Sequence, residues 1–152
     1  SLAMAELIAV SPGLSRLSIM IGTPHTRTSA LINLRYTMKH FKAIYTKSGW
    51  AASIQASATH FSIPRSNSGP WTHVEIAFPS AEEPLIKEFA EDWYKPLDTV
   101  YGYVPAGIIA AIIIKHGGIK SGELPELCMN VEQSAILAET LIKIEKEKNC
   151  DL

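Results

Sequence analysis

Residues 101–126 read YGYVPAGIIAAIIIKHGGIKSGELPE, and this stretch decides the fold. Pro105 suits the first turn of a helix, where its missing N–H would have no partner within the helix. Residues 106–114 carry no polar side chain, so the helix they form is apolar on every side. Gly117 supplies the left-handed residue that ends many helices. We therefore predict a short central helix near 105–116 that is buried all round.

The chain before this helix shows the apolar alternation that is typical of strands. Residues 41–47, 50–63 and 71–78 each read as a strand, and turn or loop residues separate them. A further strand is predicted at 14–21. Strands that follow one another this closely pair as an antiparallel meander. The sequence thus predicts an α+β fold, in which an antiparallel meander sheet of three to five strands packs against helices.

Three further patterns predict which side chains face the core or cap a helix. In the strand at 71–78, Phe78 should point inward, because apolar residues at every second position share one face. Ser80 and Glu83 have the spacing of a capping box, which would begin another helix. Asn130 can cap a final helix that reaches about residue 148. The apolar face predicted for that final helix consists of Val131, Ala135, Ala138, Leu141 and Ile142.

The bulk composition is that of one globular domain covering residues 1–152. The 152 residues are 47% hydrophobic and 19% charged, which is enough for a proper core. A net charge of -1 gives no reason to expect nucleic acid or an anionic membrane as a partner. Cys128 and Cys150 match neither a metal spacing nor a disulfide framework. We therefore expect no metal and a reducing, cytoplasmic setting.

The central stretch resembles the C-terminal catalytic and dimerisation region of the saccharopine dehydrogenase family. In that region a Pro-Ala pair opens an Ile/Ala-rich helix, and a glycine, a short basic stretch and a Gly-x-Leu-x-Pro-Glu-like loop follow. The resemblance implies a substrate-binding and dimerisation domain of an NAD(P)-dependent oxidoreductase that acts on amino-acid-derived polycarboxylates. The matching residues here are Pro105, Ala106, Ile108, Ala110, Ala111, Gly118, Ile119, Lys120, Gly122, Leu124, Pro125 and Glu126.

The chain departs from that family in one respect. The family's enzymes begin with a Rossmann domain, whose first strand is followed by Gly-x-Gly-x-x-Gly. This spacing occurs nowhere in the sequence. We therefore expect that the chain binds no cofactor itself, and that NAD(P) is implied only if a Rossmann domain is present elsewhere. The chain would then be an excised or truncated part of a larger oxidoreductase, inactive alone and a homo-oligomer.

The best candidate for a binding site is the loop at residues 22–29, which follows a predicted strand and opens a predicted helix. That geometry points free backbone N–H groups and the positive end of the helix dipole at a carboxylate or phosphate. All four arginines of the chain lie in its first half, which also fits a small-molecule carboxylate substrate. The sequence identifies no catalytic residue. The substrate contacts that we expect are His25, Arg27, Arg35, Tyr36 and Arg65.

Other interpretations stay open for several of these features. The loop at 22–29 can be a plain capped helix start, or the centre of a small anion-binding domain. His60 and His73 lie near predicted strand ends and form either surface histidines or half of a metal site. His116 reads as a helix-end cation, because nothing near it in the sequence orients it as a base. The high apolar content also allows a homodimeric structural or interaction module.

Overall fold

The computed structural model describes residues 38–151. The strand predicted at 14–21 and the loop predicted at 22–29 lie outside these residues. Within them, five strands form one antiparallel sheet and helices pack beside it, so the predicted α+β class is confirmed. The elements in chain order are β1 (Ile44–Thr46), β2 (Ala51–Gln55), β3 (His73–Ala77), a 3-10 helix (Pro84–Phe89), β4 (Val100–Pro105), α1 (Ala106–Lys115), β5 (Ile119–Ser121) and α2 (Val131–Cys150).

The described strands form one antiparallel sheet in the order β4-β3-β2-β1-β5. Strands β1 to β4 pair in sequence, as the predicted meander requires. Ile44 faces Ala52 across β1 and β2, and Ile54 faces Ile76 across β2 and β3. Strand β5 returns to pair with β1. Because β4 runs directly into α1 and β5 leaves it, the two ends of this helix are tied to opposite edges of the sheet.

The core lies between the inner face of the sheet and helix α1. Val74 and Ile76 of β3 are fully buried, and so are Ile109 and Ile112 of α1. Ile86 of the 3-10 helix is also fully buried and joins the same cluster. Burying a side chain of this size contributes roughly 1.5–3 kcal/mol. The side chains that are buried between the sheet and α1 therefore contribute strongly to stability.

Helix α1 confirms the predicted central helix, with one correction. It begins at Ala106, directly after Pro105. It ends with Gly117 at a φ of 86°, and the N–H of Gly118 donates to the carbonyl of Ile113 at 2.9 Å. The expectation of burial all round is wrong for the last turn, because Ile114 is 55% exposed. The sheet covers one side of the helix and α2 covers another, and neither covers this side chain.

Strand β2 is much shorter than the strand predicted at 50–63, because side chains take over the backbone bonding after Gln55. The hydroxyl of Ser62 accepts from the N–H of Ser57 and donates to the carbonyl of the same residue. The side chain of Asn67 accepts from the N–H of Ala58. Serine and asparagine compete in this way with a strand ladder. The alternation in the sequence was therefore not sufficient to extend the strand.

Two other local predictions are wrong. Phe78 has a φ of 52° and is exposed, so it turns away from the core instead of pointing inward. Ser80 does not cap the helix that follows it, since its hydroxyl accepts from the N–H of Ala51. Glu83 itself is the N-cap, and its carboxylate accepts from the N–H of Leu85. The helix that it begins is a 3-10 helix of six residues.

Helix α2 begins where it was predicted but turns a different face inward. The side chain of Asn130 caps it by accepting from the N–H of Gln133 at 3.0 Å. Gln133, Thr140 and Ile144 are buried, whereas Val131 of the predicted apolar face is 88% exposed. The side-chain oxygen of Gln133 accepts from the backbone N–H of Gly107 in α1 at 3.0 Å. This buried polar bond ties the inward side of α2 to α1.

None of the helices between residues 38 and 151 is both long enough and apolar enough to cross a membrane.

Candidate functional site

A cavity of about 520 Å³ opens between the 3-10 helix and the segment at residues 90–96. Tyr101 of β4 contributes to its wall. Among the described lining residues, five are aromatic residues or prolines, a composition that suits a small-molecule site. The described residues that line it are Glu82, Glu83, Pro84, Lys87, Ala90, Trp93, Tyr94, Pro96 and Tyr101.

Glu83 ties the cavity wall to the end of helix α1. Its carboxylate is only 1% exposed and accepts from the ammonium group of Lys115, with both oxygens at 3.0 Å. It also accepts from Nε2 of His116 at 2.8 Å and from the N–H of Leu85 at 3.0 Å. A buried carboxylate is tolerated when its oxygens are paired in this way. Lys115 and His116, at the C-terminal end of α1, therefore hold this part of the cavity wall in place.

The protonation of Glu83 follows from these contacts. Burial alone would raise the pKa of its carboxyl group. The hydrogen bonds from Leu85, His116 and Lys115, together with the positive charge of Lys115, outweigh burial and lower the pKa below its ordinary value. Glu83 is therefore ionised at neutral pH, and its negative charge is neutralised within the protein.

His116 is held on three sides. Its ring stacks on Trp50, with centroids 5.2 Å apart and an interplanar angle of 16°. Its Nε2 bonds the carboxylate of Glu83, and its Nδ1 lies 2.8 Å from the hydroxyl of Ser48. Since a carboxylate can only accept, the proton of a neutral His116 ring belongs on Nε2, and Nδ1 then accepts from Ser48. No residue near His116 in the sequence was expected to orient it, and the residues that do so lie far from it in the chain.

In nucleophilic hydrolases a histidine is hydrogen-bonded to a serine on one side and to a carboxylate on the other. Ser48, His116 and Glu83 are bonded in the same way. Such enzymes need free backbone N–H groups beside the serine to stabilise an oxyanion. Here the N–H of Ser48 donates to the carbonyl of His116, and the N–H of Gly49 donates to the carbonyl of Thr46. The N–H of Lys47 is bonded to a backbone carbonyl as well. The hydrogen bonds of His116 thus hold together the turn between β1 and β2, the end of α1 and the cavity wall.

The outer rim of the cavity is aromatic. The rings of Trp93 and Tyr94 lie with centroids 3.9 Å apart, and they are 63% and 72% exposed. Tyr101 is buried beneath them in β4, and its hydroxyl donates to the carbonyl of Pro96 at 2.6 Å. Burial, and then the nearby negative charge of Glu82, raises the pKa of Tyr101. The phenol therefore stays neutral and keeps its donor.

Most of the predicted substrate contacts cannot be placed. His25, Arg27, Arg35 and Tyr36 lie outside the described residues. Arg65 is described, and its guanidinium lies 5.7 Å from the ring centroid of Phe61. It is not among the described residues that line the cavity.

The histidine pair considered as half a metal site is bonded to other partners. Nδ1 of His60 lies 2.7 Å from the hydroxyl of Ser57, and Nδ1 of His73 lies 2.9 Å from that of Thr72. Burial lowers the pKa of His73, although Glu132 opposes this shift. Between residues 38 and 151, no group of three or more histidine, cysteine, aspartate or glutamate residues is arranged to hold a metal ion.

Comparison with known proteins gives no match to this chain. Its sequence matches no known family and no curated protein. No solved structure matches it either.

The cavity was not predicted from the sequence, although two signals for it are visible there. Residues 91–94 read EDWY, which places two large aromatic residues next to two acids in a polar stretch. Pro84 and Pro96 bracket this segment and limit its conformations. Neither signal could reveal that Glu83 bonds residues more than thirty positions away.

Proposed function

We propose that this chain binds a small amino-acid-derived carboxylate in the cavity beside α1. In this proposal it is the substrate-binding portion of an NAD(P)-dependent oxidoreductase similar to the saccharopine dehydrogenase family. The observation that carries the proposal is the position of the cavity. Its wall residue Glu83 is bonded to Lys115 and His116, at the end of the helix on which the resemblance to that family rests. A nucleotide-binding half would come from another domain or chain.

One positive charge at the cavity supports the binding of a carboxylate. Lys87 is the basic side chain among the described lining residues, and its ammonium group can bind one carboxylate. Glu83 is neutralised by its internal partners, so it does not repel that carboxylate.

A ligand screen on the full chain tests this proposal. Glutamate, succinate and citrate are added in turn, and the melting temperature and the heat of binding are measured. We expect glutamate to raise the melting temperature, because a ligand that binds only the folded state stabilises it. The Lys87→Ala variant should lose this shift. The matched control is Lys120→Ala, which removes an exposed lysine on β5 away from the described cavity lining.

Two outcomes would contradict the proposal. One is a panel in which no compound shifts the melting temperature of the unmodified chain. The other is a shift that is equal in the unmodified chain and in Lys87→Ala, since the carboxylate would then bind elsewhere.

A homodimeric role is a second candidate, and the exposed face of α2 supports it. Val131, Ala135, Ala138 and Ile142 are spaced four, three and four residues apart, so they form one stripe along the helix. All four are exposed in the described domain, Val131 by 88%. An apolar stripe of this spacing suits packing against a second helix. Light scattering should give the mass of a dimer, and Ala138→Glu should reduce it to that of a monomer.

A further inference from the structure

We propose that the aromatic rim of the cavity binds an alkylated ammonium group, so that the ligand of this site carries a positive charge. The proposal rests on the proposed function in one respect, since it takes the same cavity as the ligand site. It goes further because it names the charge of the ligand and the residues that recognise it.

The first support is the arrangement of the rings. Trp93 and Tyr94 present most of their surface to solvent at the mouth of the cavity, and Tyr101 lies in its wall. Large exposed aromatic side chains that cluster at a concave surface usually mark a binding site. The face of an aromatic ring is negative because of its quadrupole, and several such faces together attract an organic cation.

The second support is the charge around the rings. Between residues 82 and 98 the sequence has six acidic residues and two lysines. Glu82 lines the cavity and is exposed, whereas the charge of Glu83 is neutralised by its partners. The carboxylate of Glu82 acts on the hydroxyl of Tyr101, whose pKa it helps to raise. Lys87 also lines the cavity and is the group that the proposed function assigns to the ligand's carboxylate, so a ligand with both charges would place its cation near Glu82 and the ring faces.

The third support is the rigidity of the segment that carries the rings. The N–H of Glu91 donates to the carbonyl of Val100 at 2.9 Å, and the N–H of Asp92 donates to the hydroxyl of Thr99 at 2.9 Å. The carboxylate of Asp92 accepts from the N–H of Tyr94 at 3.0 Å. These bonds tie the segment to the start of β4. A backbone segment that is held in place before binding loses little conformational entropy when a ligand arrives.

Other kinds of ligand fit the rim less well. An inorganic anion would meet the carboxylate of Glu82 and the negative ring faces of Trp93 and Tyr94. A neutral apolar group would gain from the rings but nothing from the carboxylate. The alkylated ammonium group gains from both, because its methyl groups contact the rings while its charge is shared with Glu82.

The experiment compares choline with 3,3-dimethyl-1-butanol, which has the same shape but no charge. Each is titrated into the full chain by calorimetry. Choline should bind roughly tenfold more tightly than the neutral compound, the factor that a partly exposed cation–π contact provides. Trp93→Ala and Glu82→Gln should each weaken choline binding by several fold. The matched controls are Tyr45→Ala and Glu88→Gln, which change an exposed tyrosine and an exposed carboxylate outside the described cavity lining and should bind choline as the unmodified chain does.

Equal affinity for the two compounds, or choline affinity that Trp93→Ala leaves unchanged, would overturn the proposal. Stronger binding of the neutral compound would overturn it as well. The proposed function fails separately, because its test depends on Lys87 and on carboxylates. Choline binding without any glutamate shift would retain the cation site and reject the carboxylate role. A glutamate shift without choline binding would do the reverse.

Discussion

Helices α1 and α2 touch each other, yet they are held in place by different forces. Helix α1 has ten residues, and the sheet and α2 enclose most of its apolar surface, although Ile114 stays exposed. Helix α2 has twenty residues and is mostly exposed, with buried positions at Gln133, Thr140 and Ile144. The first depends on tertiary contacts, whereas the second has the length, the cap and the polar surface of a helix supported mainly by its own hydrogen bonds. The effect of a substitution on stability in these two α-helices therefore depends on how far the side chain is buried by other elements.

The largest difference in unfolding free energy is expected when one isoleucine of each helix is replaced by alanine. Ile109 of α1 is fully buried, and Ile109→Ala should lower the free energy of unfolding by about 2–5 kcal/mol through lost transfer energy and a cavity. Ile142 of α2 is 51% exposed, and Ile142→Ala should change it by less than about 0.5 kcal/mol. Urea unfolding of both variants at the same low protein concentration measures the difference. Similar losses in the two variants would mean that α2 is as enclosed as α1.

The next effect concerns the anchor at the C-terminal end of α1. Glu83→Gln removes the charge that Lys115 and His116 bond, and it should cost about 1.5–3 kcal/mol, the range for hydrogen bonds to charged groups. The matched control is Glu139→Gln, which changes an exposed carboxylate of α2. Chemical unfolding near neutral pH compares the two variants with the unmodified chain.

The pH dependence of stability follows from the lowered pKa of Glu83. A carboxyl group whose pKa is lower in the folded state stabilises it at pH values above its ordinary pKa, which is 4.5, and this contribution is lost as the pH falls through the folded-state pKa. The difference in unfolding free energy between the unmodified chain and Glu83→Gln should therefore be constant above that value and shrink below it. Unfolding curves at a series of pH values measure it. Parallel profiles down to strongly acid pH would contradict the assignment.

A smaller effect is expected where the two helices cross. A Cβ added at Gly107 would clash with the backbone carbonyl oxygen of Gln133. Gly107→Ala improves helix propensity but forces the helices apart, so we expect a net loss of about 1–2 kcal/mol. Thermal unfolding measures it. A gain in stability would show that α2 moves away from α1 at little cost.

The smallest effect belongs to the start of α2. Asn130→Ala removes the side chain that caps this helix and should cost about 1 kcal/mol. Asn130→Asp should retain the cap, because its carboxylate can accept the same bond from Gln133. Circular dichroism during urea unfolding compares the two variants. Equal losses in both would mean that the side chain acts through some contact other than the cap.

Much of the fold could be predicted because it is encoded over short distances. Pro105 and Gly117 mark the bounds of α1, and Asn130 marks the start of α2, since caps and breakers act within one turn. The extent of β2 could not be predicted. Its end depends on Ser62 and Asn67, whose side chains return to the backbone from five and nine residues away.

The inner face of α2 illustrates a different limit. Its apolar residues suggested one face, but the buried face is the one on which the side-chain oxygen of Gln133 accepts a hydrogen bond from the N–H of Gly107. A buried amide group must be paired, and this requirement outweighs the burial of one more exposed valine. The spacing of apolar residues gives no information about which buried polar group will find a hydrogen-bond partner in another element.

The candidate site was the least predictable part, because its residues converge from distant positions. Ser48, Glu83 and His116 have no spacing that identifies them, and only the return of α1 across the sheet brings them together. Arg65, the one predicted arginine within residues 38–151, does not line the cavity, whereas Trp93 and Tyr94 do.

By itself the sequence determined the fold class, the buried helix and the limits of both helices, since these follow from periodicity, caps and breakers that act locally. Only the tertiary structure decided which face of α2 is buried, how Glu83 is neutralised, and where a cavity opens. Those features depend on polar groups far apart in the chain, and each group must find its partner once water is excluded.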